Sequence, residues 1–572
     1  MSSCPFGGVP PTLGSRDGEG RPGRDADDVR ADIIVVGSGG AGLAAALAAA
    51  NCGAEVVVVE KTMQLGGTTA ISGGTMWLPA NHLAAAAGYA DSREEALRYL
   101  VAGGGETANT ALLEAFVDTA PRMLRFLEDS TPTGFYLARD TDYHAELAGG
   151  KEIGRSILPM AFDPASLGVW AGLIREQEAP LDIAEAYGSL NRAEDAPGGP
   201  PYDAKKWTRG RALVGALVAG CLDRGVVFAT GHRARRLLRE HERVTGLDVE
   251  KADGSLRLIG SKGVILASGG FEWDAALVSQ FLPAPLEAPG SPPSIEGDGL
   301  RMAMAAGAGL GSMAEAWWSP MIRIPGEIYD GCALSRMAVS QRLYPRSIMV
   351  NQAGERFTNE AQSYHDVGGV LMSIDRGLGR CPHRPAWLIF DARYRRHYGV
   401  ACVAPAAPDP PWLVPFATLE TLALHYGIDD AVLVRTVAAF NRHAVAGHDP
   451  VFRRGETLYS WSKGDRSQEG VFRTLGPIDT PPYYAVRLHA GTIGTRGGPL
   501  VDVDARVLDA WGEAIPGLFA AGNVAASPTG LLYPGAGGTL GLALTFGYRA
   551  GLAAAGRDLS VQDSPAKTDR DG

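Results

Sequence analysis

The stretch from Asp32 to Glu60 constrains the fold most. Ile33-Ile34-Val35-Val36 runs into Gly37-Ser38-Gly39-Gly40-Ala41-Gly42, then into the helix formers Leu43 to Ala50, then into Val56-Val57-Val58-Val59-Glu60. An apolar strand, a glycine turn, a helix and a second apolar strand make a βαβ unit, whose parallel strands require cover on both faces. Gly37 makes the turn, Gly39 lets backbone approach a pyrophosphate, and Gly42 lets the helix lie close on the strand. The unpaired amides at the helix start, over Gly40 and Ala41, face the phosphates. Glu60 lies 18 residues past Gly42, at the tip of the second strand. A carboxylate there accepts hydrogen bonds from ribose hydroxyls and repels a 2′-phosphate. A glycine-rich turn alone is weak evidence. The flanking strand, helix and acid together point to a dinucleotide.

A second small-residue loop follows, Lys61-Thr62-Met63-Gln64-Leu65-Gly66-Gly67-Thr68-Thr69-Ala70-Ile71-Ser72-Gly73-Gly74. It can wrap the phosphates and ribityl side of a larger cofactor, which favours FAD over NAD; Lys61, Gly66, Gly67, Thr68, Thr69, Ser72, Gly73 and Gly74 are candidate contacts. From Val226 to Phe271 the pattern becomes short strands, Val226-Val227-Phe228, Ala234 to Leu238, Val244 to Glu250, Leu256 to Ile259 and Val264 to Ser268, with a hairpin signal at Ala252-Asp253-Gly254. The last strand ends in a glycine pair, which reads equally as a plain strand-end turn or as backbone, with Ala267 and Gly269, brought near a ligand. Ile515 to Asn523 is another strand ending at a glycine, placing Gly522 and Asn523 at its tip. Tyr533-Pro534-Gly535-Ala536-Gly537-Gly538-Thr539 then opens a long apolar helix reaching Ala550. That helix start, with Gly538, Thr539 and Leu540, aims a positive dipole that suits the pyrimidine edge of an isoalloxazine.

A chain of 572 residues exceeds what one core supports. The expected partition is a leader at 1–30, an FAD-binding domain at 31–315 and 493–555, an inserted catalytic cap at 316–492, and a tail at 556–572. Within the cap, Asp429 to Ala444 reads as an amphipathic helix, and Trp317, Trp318 and Met321 read equally as the lining of a flat apolar cleft or as core. The segment Asn191 to Trp207 looks like an insertion. A net charge of −11 argues against nucleic acid and anionic lipid as partners. The basic runs Arg233 to Arg236 and Arg393 to Arg396 read as solvated faces. Six scattered cysteines without paired spacing, and no histidine at metal-ligand spacing, argue against a disulfide framework or zinc site. With no signal peptide and no apolar run of spanning length, the expectation is a soluble, cytoplasmic protein.

Further motifs carry a resemblance. They are Asp142-Tyr143-His144 with Gly154-Arg155, Ser347-Ile348-Met349-Val350-Asn351 leading to Gly354-Glu355-Arg356-Phe357, Asn359-Glu360-Ala361-Gln362-Ser363-Tyr364, Gly494-Thr495-Arg496-Gly497-Gly498 and Tyr533-Pro534-Gly535-Ala536-Gly537. In order and spacing the chain resembles the flavoproteins that include fumarate reductase and succinate dehydrogenase subunits, and among them the bacterial 3-ketosteroid 1-dehydrogenases. The resemblance implies an α/β fold, a Rossmann-like FAD-binding domain of glutathione-reductase type with an inserted α+β cap. Where fumarate reductases carry a proton-delivering arginine the chain has Tyr364, and their carboxylate-gripping segment is replaced by Ser527 to Tyr533, without a cation. A dicarboxylate needs cationic partners. The loop Gly67-Thr68-Thr69-Ala70 lacks the histidine of covalent flavin attachment, so FAD is expected to bind non-covalently.

The activity this implies is desaturation of the A ring of a 3-ketosteroid between carbons 1 and 2, with an α proton lost and a β hydride passed to flavin N5. The resemblance assigns Tyr533 and the Gly537 amide to the ketone oxygen, Tyr364 to the base, and Tyr143 to carrying or sharing the proton. A tyrosine base near neutrality needs a partner that stabilises its phenolate, and the sequence does not identify one. The electron acceptor is likewise unnamed. Alternatives are desaturation between carbons 4 and 5, an enoate or fumarate-type reductase, and a catalytically silent flavin-binding protein.

Overall fold

The computed structural model describes residues 28–176, 203 and 205–557. Fourteen strands of two large sheets organise it: β1 (Asp28–Val36), β2 (Val56–Glu60), β3 (Val227–Thr230), β4 (Arg233–Glu240), β5 (Arg243–Lys251), β6 (Gly254–Leu266), β7 (Ala288–Pro289), β8 (Ala316–Ile322), β9 (Arg336–Met337), β10 (Ser347–Asn351), β11 (Ala386–Asp391), β12 (Tyr483–Thr495), β13 (Arg506–Leu508) and β14 (Ala514–Ala520).

The first sheet has eight strands in the order β13-β14-β6-β1-β2-β3, with β4 and β5 folded off β6 as antiparallel neighbours. Its centre is parallel: Ile33 to Val36 pair with Val56 to Val59 on one side and with Gly263 to Leu266 on the other. Both faces are covered, which is why these strands are uninterrupted apolar runs. Helix α1 (Gly40–Asn51) is buried from Gly40 to Ala50. It can be alanine-rich because α2 (Gly538–Ala554) lies against it almost backbone to backbone. A Cβ on Gly547 would fall 2.3 Å from the carbonyl oxygen of Ala41, and one on Gly551 2.2 Å from that of Ala45. Gly42 is equally constrained, 2.0 Å from the Gly37 carbonyl oxygen.

The second sheet has six strands, ordered β9-β8-β12-β11-β10 with β7 beside β12. The helix over Asp430–Ala446, capped by Asp429, packs Leu433, Val437 and Phe440 against one of its hydrophobic clusters. β12 is its spine, and the far end of that strand reaches the segment that follows β6 of the first sheet. There Thr495 Oγ1 accepts from the Phe271 amide at 2.9 Å, and the Thr495 amide donates to the buried Glu272 carboxylate at 3.2 Å.

Several expectations are corrected. Residues 28–30, assigned to the leader, are strand and pair with Arg257, Leu258 and Ile259; residues 1–27 lie outside the described ones. The runs Leu256 to Ile259 and Val264 to Ser268 belong to one strand, β6, whose irregularity is taken up around Gly260 and Gly263, where a side chain would meet backbone oxygen. Phe271, Leu277 and Leu300 pack into the core beneath the second sheet, so its core draws on chain before residue 316. The Arg393 to Arg396 run is not wholly solvated: Arg395 is buried, donating to Asp409 at 2.8 Å and to the carbonyls of Ala404 and Ala407. Most of the segment 191–207 lies outside the described residues.

Candidate active site

One cleft of about 300 Å³ runs from the glycine turn between β1 and α1 to the junction of the two sheets. Its first half is lined by Gly37, Gly39, Gly40, Ala41, Glu60, Lys61, Gly67, Thr68, Thr69, Ser72, Gly73 and Gly74, with Ala267, Gly269, Gly522, Asn523, Thr539 and Leu540 from the other strand ends and the start of α2. Gly42, Gly66 and Gly538 do not line it. Gly42 is pressed against the turn, and Gly66 donates its amide to Ser38 Oγ at 3.0 Å. Gly538 sits under Tyr533 and Pro534 as the first residue of α2.

The cleft suits a dinucleotide on its own geometry. Where a Cβ would stand on Gly39, Gly67 or Gly73, no atom comes closer than 3.8 Å, so these backbones are bare towards the cleft. Glu60 is held rigid: its carboxylate accepts from the Ser38 amide and hydroxyl at 3.2 and 2.7 Å and from the Thr62 amide at 3.0 Å. Sequence reading missed Ser38, Thr62, His232 and Ser268, which also line this half. Ser38 stands within the glycine motif itself, where a hydroxyl is easily passed over.

The other half contains a cage of tyrosines. Tyr143 stacks on Tyr533 with centroids 5.3 Å apart and meets Tyr364 edge-on at 5.5 Å; Tyr364 and Tyr533 are also 5.5 Å apart. All three, with Gly537, line the cleft. Residues spread over nearly four hundred positions of sequence are thus brought together. The Tyr533 hydroxyl lies 3.0 Å from Thr539 Oγ1. Burial raises its pKa, opposed by hydrogen bonds to Thr539 and Tyr364 and by the charge of Arg496. Gly537 adopts φ 90°, and its amide has no hydrogen-bond acceptor among the described residues.

Each ring is set by its surroundings. Tyr143 follows Asp142, whose buried carboxylate accepts from Trp77 Nε1 at 2.7 Å, from the Lys151 amide at 3.0 Å and from Arg155 at 2.7 Å. Burial lifts that carboxyl to about 6, against the pull of Arg155. Tyr364 opens a helix, Tyr364–Met372, capped by Ser363. The loop before Tyr533 is gripped by Arg496, which donates to Thr529 Oγ1 at 2.6 Å and to the Gly530 carbonyl at 2.6 Å. The Arg496 guanidinium stacks 4.1 Å from the Trp317 ring, and Trp317 meets Tyr533 edge-on at 5.0 Å.

Trp317 therefore backs the cage, whereas Trp318 belongs to the second core and Met321 is fully buried; none of the three lines the cleft. His365 accepts from the Trp318 amide at Nδ1, which leaves Nε2 to donate to the Leu531 carbonyl at 3.1 Å. Burial and the charge of Arg496 hold its pKa down to about 4, so it stays neutral. His144 behaves oppositely. Burial disfavours its charge, but Asp366 at 3.2 Å and Glu146 outweigh this and lift it to about 10. This end of the cleft is predominantly apolar, with a few directed donors.

A family model described as FAD binding domain matches residues 32–540. The chain is 40% identical to 4-oxocyclohexanecarboxylate 2-dehydrogenase of Sinomonas cyclohexanicum, over 94% of each chain. It is 37% identical to 3-oxosteroid 1-dehydrogenase of Mycobacterium tuberculosis, over 91% of this chain and 97% of the relative. Among solved structures it is similar to the 3-ketosteroid delta1-dehydrogenase of Sterolibacterium denitrificans in complex with 1,4-androstadiene-3,17-dione, with a TM-score of 0.85 at 35% identity, covering 92% of this chain and 99% of the other.

Proposed function

The chain belongs to the FAD-binding-domain family of flavoproteins that includes the 3-oxosteroid 1-dehydrogenases, and from that membership we propose that it desaturates the A ring of a 3-ketosteroid between carbons 1 and 2. The observation that carries this reading is the juxtaposition of three tyrosine rings and an unbonded backbone amide at one end of a dinucleotide cleft.

The glycine turn, the loop from Gly67 to Gly74 and the start of α2 would hold FAD without a covalent link, and when bound it would supply the acceptor for the β hydride. The chain supplies the rest. Tyr533 and the Gly537 amide donate to the ketone oxygen, and both bonds strengthen as negative charge gathers there. Tyr364 takes the α proton and Tyr143 shares it. The buried tyrosine rings lower the local polarity, which strengthens each of these interactions. Conversion of a 4-en-3-one steroid to its 1,4-diene with an artificial electron acceptor tests the reading; absence of turnover on every 3-ketosteroid overturns it.

A second reading shares this chemistry on a smaller molecule. The 40% identity to an enzyme named for 4-oxocyclohexanecarboxylate favours it specifically, since that compound is also a ring ketone that loses hydrogen beside its carbonyl. The same assay with this acid in place of the steroid separates the two.

A further inference from the structure

A phenol that removes a proton from carbon must first give up its own, and a buried phenolate is costly unless positive charge faces it. Arg342 supplies such a charge. Its side chain is fully buried, yet it forms no ion pair with a carboxylate among the described residues. Nε donates to the Ala338 carbonyl at 3.0 Å, and Nη1 to the carbonyls of Gln362, at 2.6 Å, and Glu360. All three acceptors are neutral, and Nη2 has no well-aligned acceptor. The ionisable groups around the guanidinium are Tyr459, Asp366 and Tyr143.

The placement joins two functions. Glu360 and Gln362 form the turn that delivers Tyr364, so Arg342 ties down the backbone immediately before the proposed base. On its other side Tyr459 faces the guanidinium, and the Tyr459 ring meets Tyr143 edge-on at 5.1 Å.

Other charges around the cage are largely spoken for. Asp366 pairs with His144, which also meets the half-exposed Glu146. Asp140 pairs with Lys463, and Asp142 with Asp91 shares Arg155. His365 is neutral, and Arg496 lies behind Tyr533 with Glu315 as its nearest acid. Among the described residues, Arg342 is thus a buried cation beside Tyr459 and Tyr143 that has no ion pair with a carboxylate.

We propose that Arg342, acting through Tyr459 and through the turn before Tyr364, is the positioning residue that makes a phenolate attainable in the Tyr143–Tyr364 pair. This rests on the assignment of Tyr364 as base. The test is the pH profile of kcat/KM for steroid desaturation by the holoenzyme, in the wild type, Tyr459→Phe, Arg342→Gln and Arg342→Lys. A parallel ultraviolet titration follows phenolate absorbance, with Tyr364→Phe as the reference that lacks the base. Loss of the charge or of its bridge should move the midpoint of the acid limb to higher pH by about one unit or more. The flavin spectrum should stay unchanged, and Arg342→Lys should return part of the shift.

An unmoved midpoint in Tyr459→Phe, with the protein folded and FAD bound, overturns the proposal even if Arg342→Gln fails to fold. Undiminished turnover in Tyr364→Phe overturns instead the assignment of the base. Should the wild type turn over no steroid, the phenolate titration still decides, because the first phenol to ionise must be missing from Tyr364→Phe and shifted in Tyr459→Phe.

Discussion

At the scale of single residues, the proposed reaction assigns some members of the tyrosine cage to the ketone oxygen and leaves others to hold them in place. Tyr533→Phe removes one donor from the site of developing charge, so kcat should fall roughly 10²–10³-fold while FAD stays bound. Steady-state rates beside the flavin absorbance spectrum check this, and an unchanged rate would return the protein to the class of silent flavin binders. His144 makes a prediction about stability. Its pKa is raised in the fold by Asp366 and Glu146, so the pairing stabilises fully below the ordinary histidine value of about 6.5 and is lost as pH climbs towards about 10. With its side chain 30% exposed, the contribution is on the order of 1–2 kcal/mol after solvent screening. Melting temperatures of His144→Gln should be lower at neutral pH and converge with the wild type in alkali. The three tyrosines were legible because each stands inside a recognisable motif. Arg342, Tyr459 and the His144–Asp366 pair were not, since their meaning lies in contacts between segments that no spacing rule connects.

Elements were legible where a single periodicity governed them. The βαβ start and the two-residue turn between β5 and β6 follow directly from apolar runs and glycines. β6 was read as two strands because its interruption at Gly260 to Gly263 looks like a turn in sequence, while three-dimensionally its neighbours carry it through. Helix packing was only half legible. The glycines of α2 suggested a ligand-facing start, but Gly547 and Gly551 serve instead to bring α1 into contact. Gly551→Ala would place a methyl group against the Ala45 carbonyl and push the helices apart, costing about 1–3 kcal/mol. Thermal melts should show it, with lower FAD retention. Gly172→Ala, where a Cβ meets nothing within 4 Å, serves as the unaffected comparison.

For the molecule as a whole, the cofactor cleft is walled by chain from positions 36 to 543, so the bound dinucleotide ties together segments from both ends of the sequence. Stripping FAD should lower the melting temperature, and returning it at a hundredfold excess over its dissociation constant should restore about 2.7 kcal/mol. A melting temperature indifferent to added FAD would contradict this. An inserted unit was expected from the change of pattern after residue 315; Phe271, Leu277 and Leu300 join the second core without any change in composition to mark them.

That seam has one through-going member. β12 runs from the middle of the second sheet to Thr495, and the next residue is the arginine that clasps the loop ahead of Tyr533. One continuous stretch of backbone therefore carries both the middle of the second sheet and the guanidinium that holds the loop leading to Tyr533, so the position of that ring is fixed by the same strand that orders the sheet.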